Sequence, residues 1–157
     1  MKARFAFVLL AVCVIAECVA AFGETLYPVV GPMATQAPPP AITAKFSGAN
    51  SGRFTLTQAG GESFEGKWAF LVPSFVNAKT PETSSSYLPQ PNLAFAWDTV
   101  YGQGYFLARV VGTRIRQAVA TGNQGTVLQI ECLYSDPHSG FNGVAVDSKG
   151  NIYKVVW

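Results

Sequence analysis

Asp136, His138 and Ser139 bring an acid, an imidazole and a hydroxyl close together, the three functions of a hydrolytic triad. A triad works when separate elements fix the geometry of its members and an oxyanion hole lies beside them. Crowded around Pro137 in one loop, these residues read instead as a polar turn. His138 is the only histidine, and no Cys-x-x-Cys or His-Glu-x-x-His spacing occurs, so ligands for a metal are too few. Glu65 and Glu131 both fall on outward strand positions and could form a glycosidase-like carboxylate pair, but ordinary solvated charges are the favoured reading of such positions. Arg114 and Arg116 share one strand face and could receive an anion; a solvated face is the simpler account. Gly102-Gln103-Gly104 has neither a preceding strand nor a following lysine, which a phosphate loop needs. These residues predict no catalytic, cofactor or metal site, and hence no enzyme.

Aromatic side chains offer the other kind of site. Phe64, Trp68, Phe70, Tyr134 and Trp157 fall on strand positions from which they could line a cavity for an apolar ligand. The same rings could as well fill a core, which is the commoner use of a buried aromatic. Cys132, in phase with Leu128, Ile130 and Tyr134, reads as a core thiol.

The elements that position these residues are mostly strands. From Ile42 onward apolar and polar residues alternate: Ile42, Ala44 and Phe46, then Phe54 and Leu56, then Phe64, Gly66, Trp68 and Phe70. Period two is the mark of half-buried antiparallel strands. Phe106–Val111, Arg114–Ala120 and Thr126–Tyr134 continue the series, and Gly60-Gly61 and Gly122–Gly125 supply tight turns. Between them Leu93, Ala96, Trp97, Val100 and Tyr101 recur at helical spacing, with Asn92 as cap and Gly102 as stop. The clearest signal is the closing hairpin, in which Gly143–Val146 and Ile152–Trp157 flank Asp147-Ser148-Lys149-Gly150-Asn151. Asp147 suits the first turn position because its carboxylate reaches N–H groups two residues on, and Gly150 accepts a positive φ. Gly143 and Ala145 leave one face shallow enough for an aromatic ring opposite. The stretch Gly143–Tyr153 resembles one blade segment of an NHL-type propeller, but no second copy is present to build one.

Charged residues make up 13% of the 157-residue chain, against about 25% in ordinary soluble domains. Lys2 and Arg4 precede the uncharged run Phe5–Ala16, and small residues follow at Ala20, Ala21 and Gly23. That order is a secretory signal, with a cut before Glu24 or, from Cys18-Val19-Ala20, slightly earlier. Cleavage leaves Cys132 as the sole cysteine, so the fold stands on burial and not on disulfides. Val12 and Glu17 precede Cys13 and Cys18, a poor match to the small residue that lipidation requires, so a lipid on Cys18 is the lesser alternative. The mature chain carries 9 basic and 8 acidic residues, a net charge of +1 that attracts neither nucleic acid nor an anionic membrane.

These readings divide the chain into a signal peptide at 1–23, a Pro-rich extended linker at 24–41 outside the sheet, and a single β domain at 42–157. The domain holds a flexible Ser/Thr/Pro-rich loop at 73–91. The expected fold is mainly β, a six- to seven-stranded antiparallel barrel or sandwich with one short amphipathic helix.

Three landmarks, Tyr27-Pro28-x-x-Gly31-Pro32, Gly61-Glu62-x-x-x-Gly66-x-Trp68 and Gly143-x-Ala145-x-Asp147-x-x-Gly150-x-x-Tyr153-Lys154, resemble those of a group of small exported bacterial proteins, many described as lipoproteins. The resemblance implies a β fold and a place in the periplasm or cell envelope of a bacterium, and brings no activity with it. The leading expectation is a non-catalytic interaction or structural module acting on another envelope component. The alternative is a β-barrel that binds a small apolar molecule.

Overall fold

The computed structural model describes residues 22–71, 91–105, 108, 114–134 and 141–156. Eight antiparallel strands run up and down around a closed barrel, each hydrogen-bonded to its sequence neighbours and β1 to β8. They are β1 (Phe22–Val30), β2 (Ile42–Ser47), β3 (Ser51–Thr57), β4 (Ser63–Leu71), β5 (Arg114–Gly122), β6 (Val127–Tyr134), β7 (Phe141–Asp147) and β8 (Ile152–Val156). Helix α1 (Pro91–Tyr101) lies between β4 and β5 and packs mainly on β7, with β8 and β6 beside it.

The expected mainly β architecture is present, as a closed barrel and not a sandwich, with eight strands instead of six or seven. The extra strand is β1, which occupies part of the stretch expected to be a linker. Pro28 hid it. Here proline sits beyond Leu26↔Ile42, the last pairing with β2, and beside a shift of register against β8. A strand tolerates proline where no ladder partner waits for its missing N–H. The cut before Glu24 would fall inside β1, because Phe22 and Gly23 already pair with Phe46 and Lys45. Ala108, within the strand expected at Phe106–Val111, is helical, its N–H bonded to Gly104 O at 2.9 Å. The rest of that stretch, the 73–91 loop up to residue 90, and residues 1–21 lie outside the described residues.

The turns follow their residues. Asp147 Oδ1 accepts from Lys149 N at 2.9 Å, Gly150 N returns to Asp147 O at 3.1 Å, and Gly150 takes φ 83°. The inward Tyr153 pairs with Ala145 and is fully buried, the ring that the shallow face of β7 calls for. The helix starts one residue before the expected cap, with proline at a position whose N–H would go unused in any case. It ends at Gly102, whose N–H bonds to Asp98 O at 3.0 Å.

Two cores result. Inside the barrel, Phe46, Phe54, Phe64, Trp68, Leu128 and Tyr153 are among the side chains that fill the lumen. Outside it, Leu93, Ala96 and Trp97 of α1 press on Ile115, Leu133, Val144 and Ile152. An eight-stranded barrel has a lumen about wide enough for its own side chains.

Candidate functional site

Strand alternation sends Glu24, Arg116 and Cys132 into the lumen, where all three are almost wholly buried. β1 and β5 stand on opposite sides of an eight-membered ring, so the ion pair between Glu24 Oε1 and the Arg116 guanidinium crosses the lumen from wall to wall. Cys132, directly across from Arg116 on β6, donates its S–H to Glu24 Oε2 at 3.7 Å. The Arg116 guanidinium lies over the Phe46 ring at 4.6 Å and the Trp68 ring at 5.5 Å. Rings of this kind attract a cation through their negative faces, most strongly where water is excluded. Burial pushes the Cys132 thiol up to about 11, against the pull of Arg116, which leaves it protonated and unreactive at neutral pH. Gly143 is required beside it, since a Cβ there would stand 2.7 Å from Cys132 Sγ.

Toward one mouth of the barrel the aromatic stack continues. Trp68 meets Phe46 and Phe70 edge-on at 6.2 and 5.5 Å, and Phe46 stacks on Phe54 at 5.3 Å. Trp68 Nε1 donates to Ser47 O at 2.8 Å. Arg114 caps the stack over Phe70 at 4.0 Å and bonds to Asn50 Oδ1 at 3.3 Å. The two arginines do share the lumen-facing side of β5, but only Arg114 reaches water. The simple account of a solvated pair fails for Arg116, whose neighbours are a carboxylate and two rings.

The opposite end is closed by hydrogen bonds between turns. Glu62, in the β3–β4 turn, accepts from Thr126 N at 3.2 Å, Thr126 Oγ1 at 2.8 Å and Lys149 Nζ at 2.7 Å. Three hairpins are thereby tied to one carboxylate. Burial acts to raise the Glu62 pKa, but Lys149 and Thr126 outweigh it and hold the group below its ordinary value. Asp147 receives Asn151 Nδ2 at 2.8 Å and the Tyr153 hydroxyl at 2.7 Å. Burial and this carboxylate both push the Tyr153 phenol far up. Asn151 Oδ1 in turn accepts Met33 N at 2.9 Å, which brings in the β1–β2 connection. Gly31 turns there with φ 97°, and a Cβ on it would stand 2.7 Å from Asn151 Oδ1. Gly31, Glu62, Asp147, Asn151 and Tyr153 therefore meet at this one end, as turn and packing residues.

The sequence candidates separate in space. Phe64 and Trp68 are buried in the lumen and Phe70 packs against that core, edge-on to Trp68, so these rings lie among the chain's own side chains. Tyr134 ends β6, while Trp157, His138 and the rest of the Asp136–Ser139 loop lie outside the described residues. Glu65 is exposed as expected, whereas Glu131 is fully buried under the outer layer. Glu131 accepts the Tyr105 hydroxyl at 2.7 Å and Gln117 Nε2 at 2.6 Å, a bonded structural carboxylate and not the partner of Glu65. The sequence signal for that burial was Cys132-Leu133, where apolar residues occupy both faces of β6 in succession. Among the described residues no three His, Cys, Asp or Glu side chains gather as metal ligands.

No protein-family model matches the chain, and neither a curated protein nor a solved structure matches it.

Proposed function

We propose that the chain is an exported bacterial envelope protein that acts as a non-catalytic interaction module, presenting the outer wall of its barrel to another envelope component. One observation carries the reading: the lumen is occupied by the protein's own rings and a wall-to-wall ion pair, while the outward positions of β2–β4 hold Lys45, Arg53, Glu65 and Lys67. A membrane-spanning barrel turns an apolar band outward at such positions. Among the described residues no helix is long and apolar enough to cross a membrane. Export rests on Lys2 and Arg4 ahead of the apolar run Phe5–Ala16. Since β1 begins at Phe22, the cut after Ala20 preserves the whole strand and is the one we assign.

Native mass spectrometry of the protein isolated from its own source tests both parts. The expected mass is that of a chain beginning at Ala21, with no lipid and no small molecule attached. A stoichiometric apolar ligand retained on the monomer would overturn the module reading in favour of a ligand-binding barrel. A full-length N-terminus or a lipid-sized increment would overturn the assigned processing.

A further inference from the structure

We propose that the outer wall across β3, β4 and β5 is a docking groove for an acidic peptide segment with an apolar side chain beside its carboxylate. The inference rests on the module reading and names the surface and the partner's chemistry.

A groove of about 660 Å³ opens along this wall, bounded by Arg53, Lys67, Ala69, Leu71, Gln117 and Val119. Ala69 creates the hollow. Its methyl stands between Ser51 on β3 and Gln117 on β5, in a row where longer outward side chains would fill the space. At one end of the groove Arg53 and Lys67 are direct cross-strand partners. Like charges in that register repel each other and weaken the sheet. The carboxylate of Glu65 lies 3.9 Å from Arg53, and both side chains are largely exposed, Arg53 at 77% and Glu65 at 70%. Among the described residues no carboxylate lies within ion-pair distance of Lys67. An incoming carboxylate between the two cations relieves the repulsion that the free protein carries.

The remainder of the groove is mainly apolar, with Ser51 and Gln117 as its polar side chains. Val119, 54% exposed, sits beside Lys67 on β5, and Leu71 lies beyond Ala69 on β4. Two cations with Val119 beside them and Leu71 beyond suit a short peptide better than a polyanion, which needs a longer track of cations. Three strands span about 10 Å, the reach of about three extended residues. A closed barrel offers no open edge, so a peptide cannot bind by adding a strand and must be held through side chains.

The test uses the mature full chain, isotope-labelled, titrated with a capped Leu-Glu-Leu-Glu-Leu peptide and its glutamine counterpart. The acidic peptide is expected to shift the amide signals of Arg53, Lys67, Ala69, Gln117 and Val119, and to bind about tenfold more tightly than the glutamine peptide. Arg53→Glu with Lys67→Glu removes that preference, and Lys67→Gln, which leaves the sheet's charge balance milder, weakens it. Lys154→Glu, on the opposite wall of the barrel, leaves it unchanged. Equal binding of the two peptides, or shifts centred elsewhere, would overturn the groove. So would phosphatidylglycerol vesicles that bind through Lys67 when the peptides do not. A partner isolated with the native protein that binds the doubly charge-reversed chain as tightly as the parent also overturns it, and leaves the module reading standing. A retained small molecule removes the module reading instead.

Discussion

Two buried carboxylates hold the two halves of the barrel, and they do so under opposite conditions. Glu24 faces Arg116 in a lumen lined by rings, with both side chains almost wholly removed from water. Glu62 sits among turns at the other end, facing Lys149, whose side chain is 50% exposed. Desolvation is the larger cost for the first pair, and attraction in so dry a site repays it only where geometry and further hydrogen bonds are good. The second keeps one partner in water and gains two Thr126 donors besides. Burial of a charged pair is therefore not one effect. In the lumen it enforces pairing of opposite walls; at the turns it is a tether among hairpins.

The lumen pair gives the largest expected effect. Arg116→Met alone leaves the Glu24 charge in a dry site without its cation and should cost about 3–5 kcal/mol, as should Glu24→Leu, which removes the carboxylate that the guanidinium pairs with. The double variant should recover most of that loss, since apolar side chains of similar volume replace a pair that paid heavily for leaving water. Urea unfolding of the three variants measures the pattern. A double variant no more stable than either single one would mean that shape, and not charge, governs this site. Cys132 reports independently: with its thiol held up near 11 by burial, alkylation at neutral pH should track unfolding, and should be faster in Arg116→Met than in the parent.

Glu62→Gln breaks the tether at the turns. It should cost about 1–3 kcal/mol at neutral pH, within the range for leaving buried donors poorly served. The sign of its pH dependence follows from the lowered pKa. The folded value lies below the ordinary 4.5, so the stability due to ionised Glu62 is fully present above pH 4.5 and is lost as pH falls through the folded value. Unfolding curves of the parent and Glu62→Gln should accordingly converge in acid. Curves that stay parallel down to low pH would assign the loss to shape alone.

Tyr153→Phe is a smaller break at the same end. Its hydroxyl donates to Asp147 Oδ2 at 2.7 Å and receives Gln58 Nε2 at 3.1 Å. Removing it leaves both groups short of a partner inside the cap, at a cost of about 1–2 kcal/mol. Thermal denaturation should show a drop smaller than that of Arg116→Met, and no change in the lumen packing reported by Cys132.

What the amino-acid sequence disclosed followed the same division. The turn end was largely legible because its residues act locally: Asp147 and Gly150 specify their own hairpin, and Gly60-Gly61 specifies another. Period two placed β2 to β4 correctly, since each buries one face and wets the other. The lumen pair was not legible. Glu24 precedes a proline-containing stretch, and nothing local says that its strand closes the ring opposite Arg116. Glu131 was misread for a similar reason, because the cover over it comes from Tyr105 and Gln117, which are distant in sequence or on another strand. A charge whose partner lies across the fold cannot be distinguished from a solvated one by alternation alone.

The smallest expected effect lies on the outer wall, and it completes the series. Arg53 and Glu65 approach to 3.9 Å with both side chains mostly in water. Their attraction is screened, and holding two long side chains in one geometry costs entropy that offsets much of it. Glu65→Gln should therefore change stability by no more than about 0.5 kcal/mol, with even that difference fading in high salt. The loss of its carboxylate also leaves Arg53 and Lys67 facing each other without a nearby anion. A destabilisation as large as that of Glu62→Gln would show that the facing cations weigh more on the sheet than exposure suggests. It would also raise the value of any anion that the groove receives. A change within the expected range would confine the energetically important charges to the lumen and the turn end, and leave the outer wall free to be used for recognition.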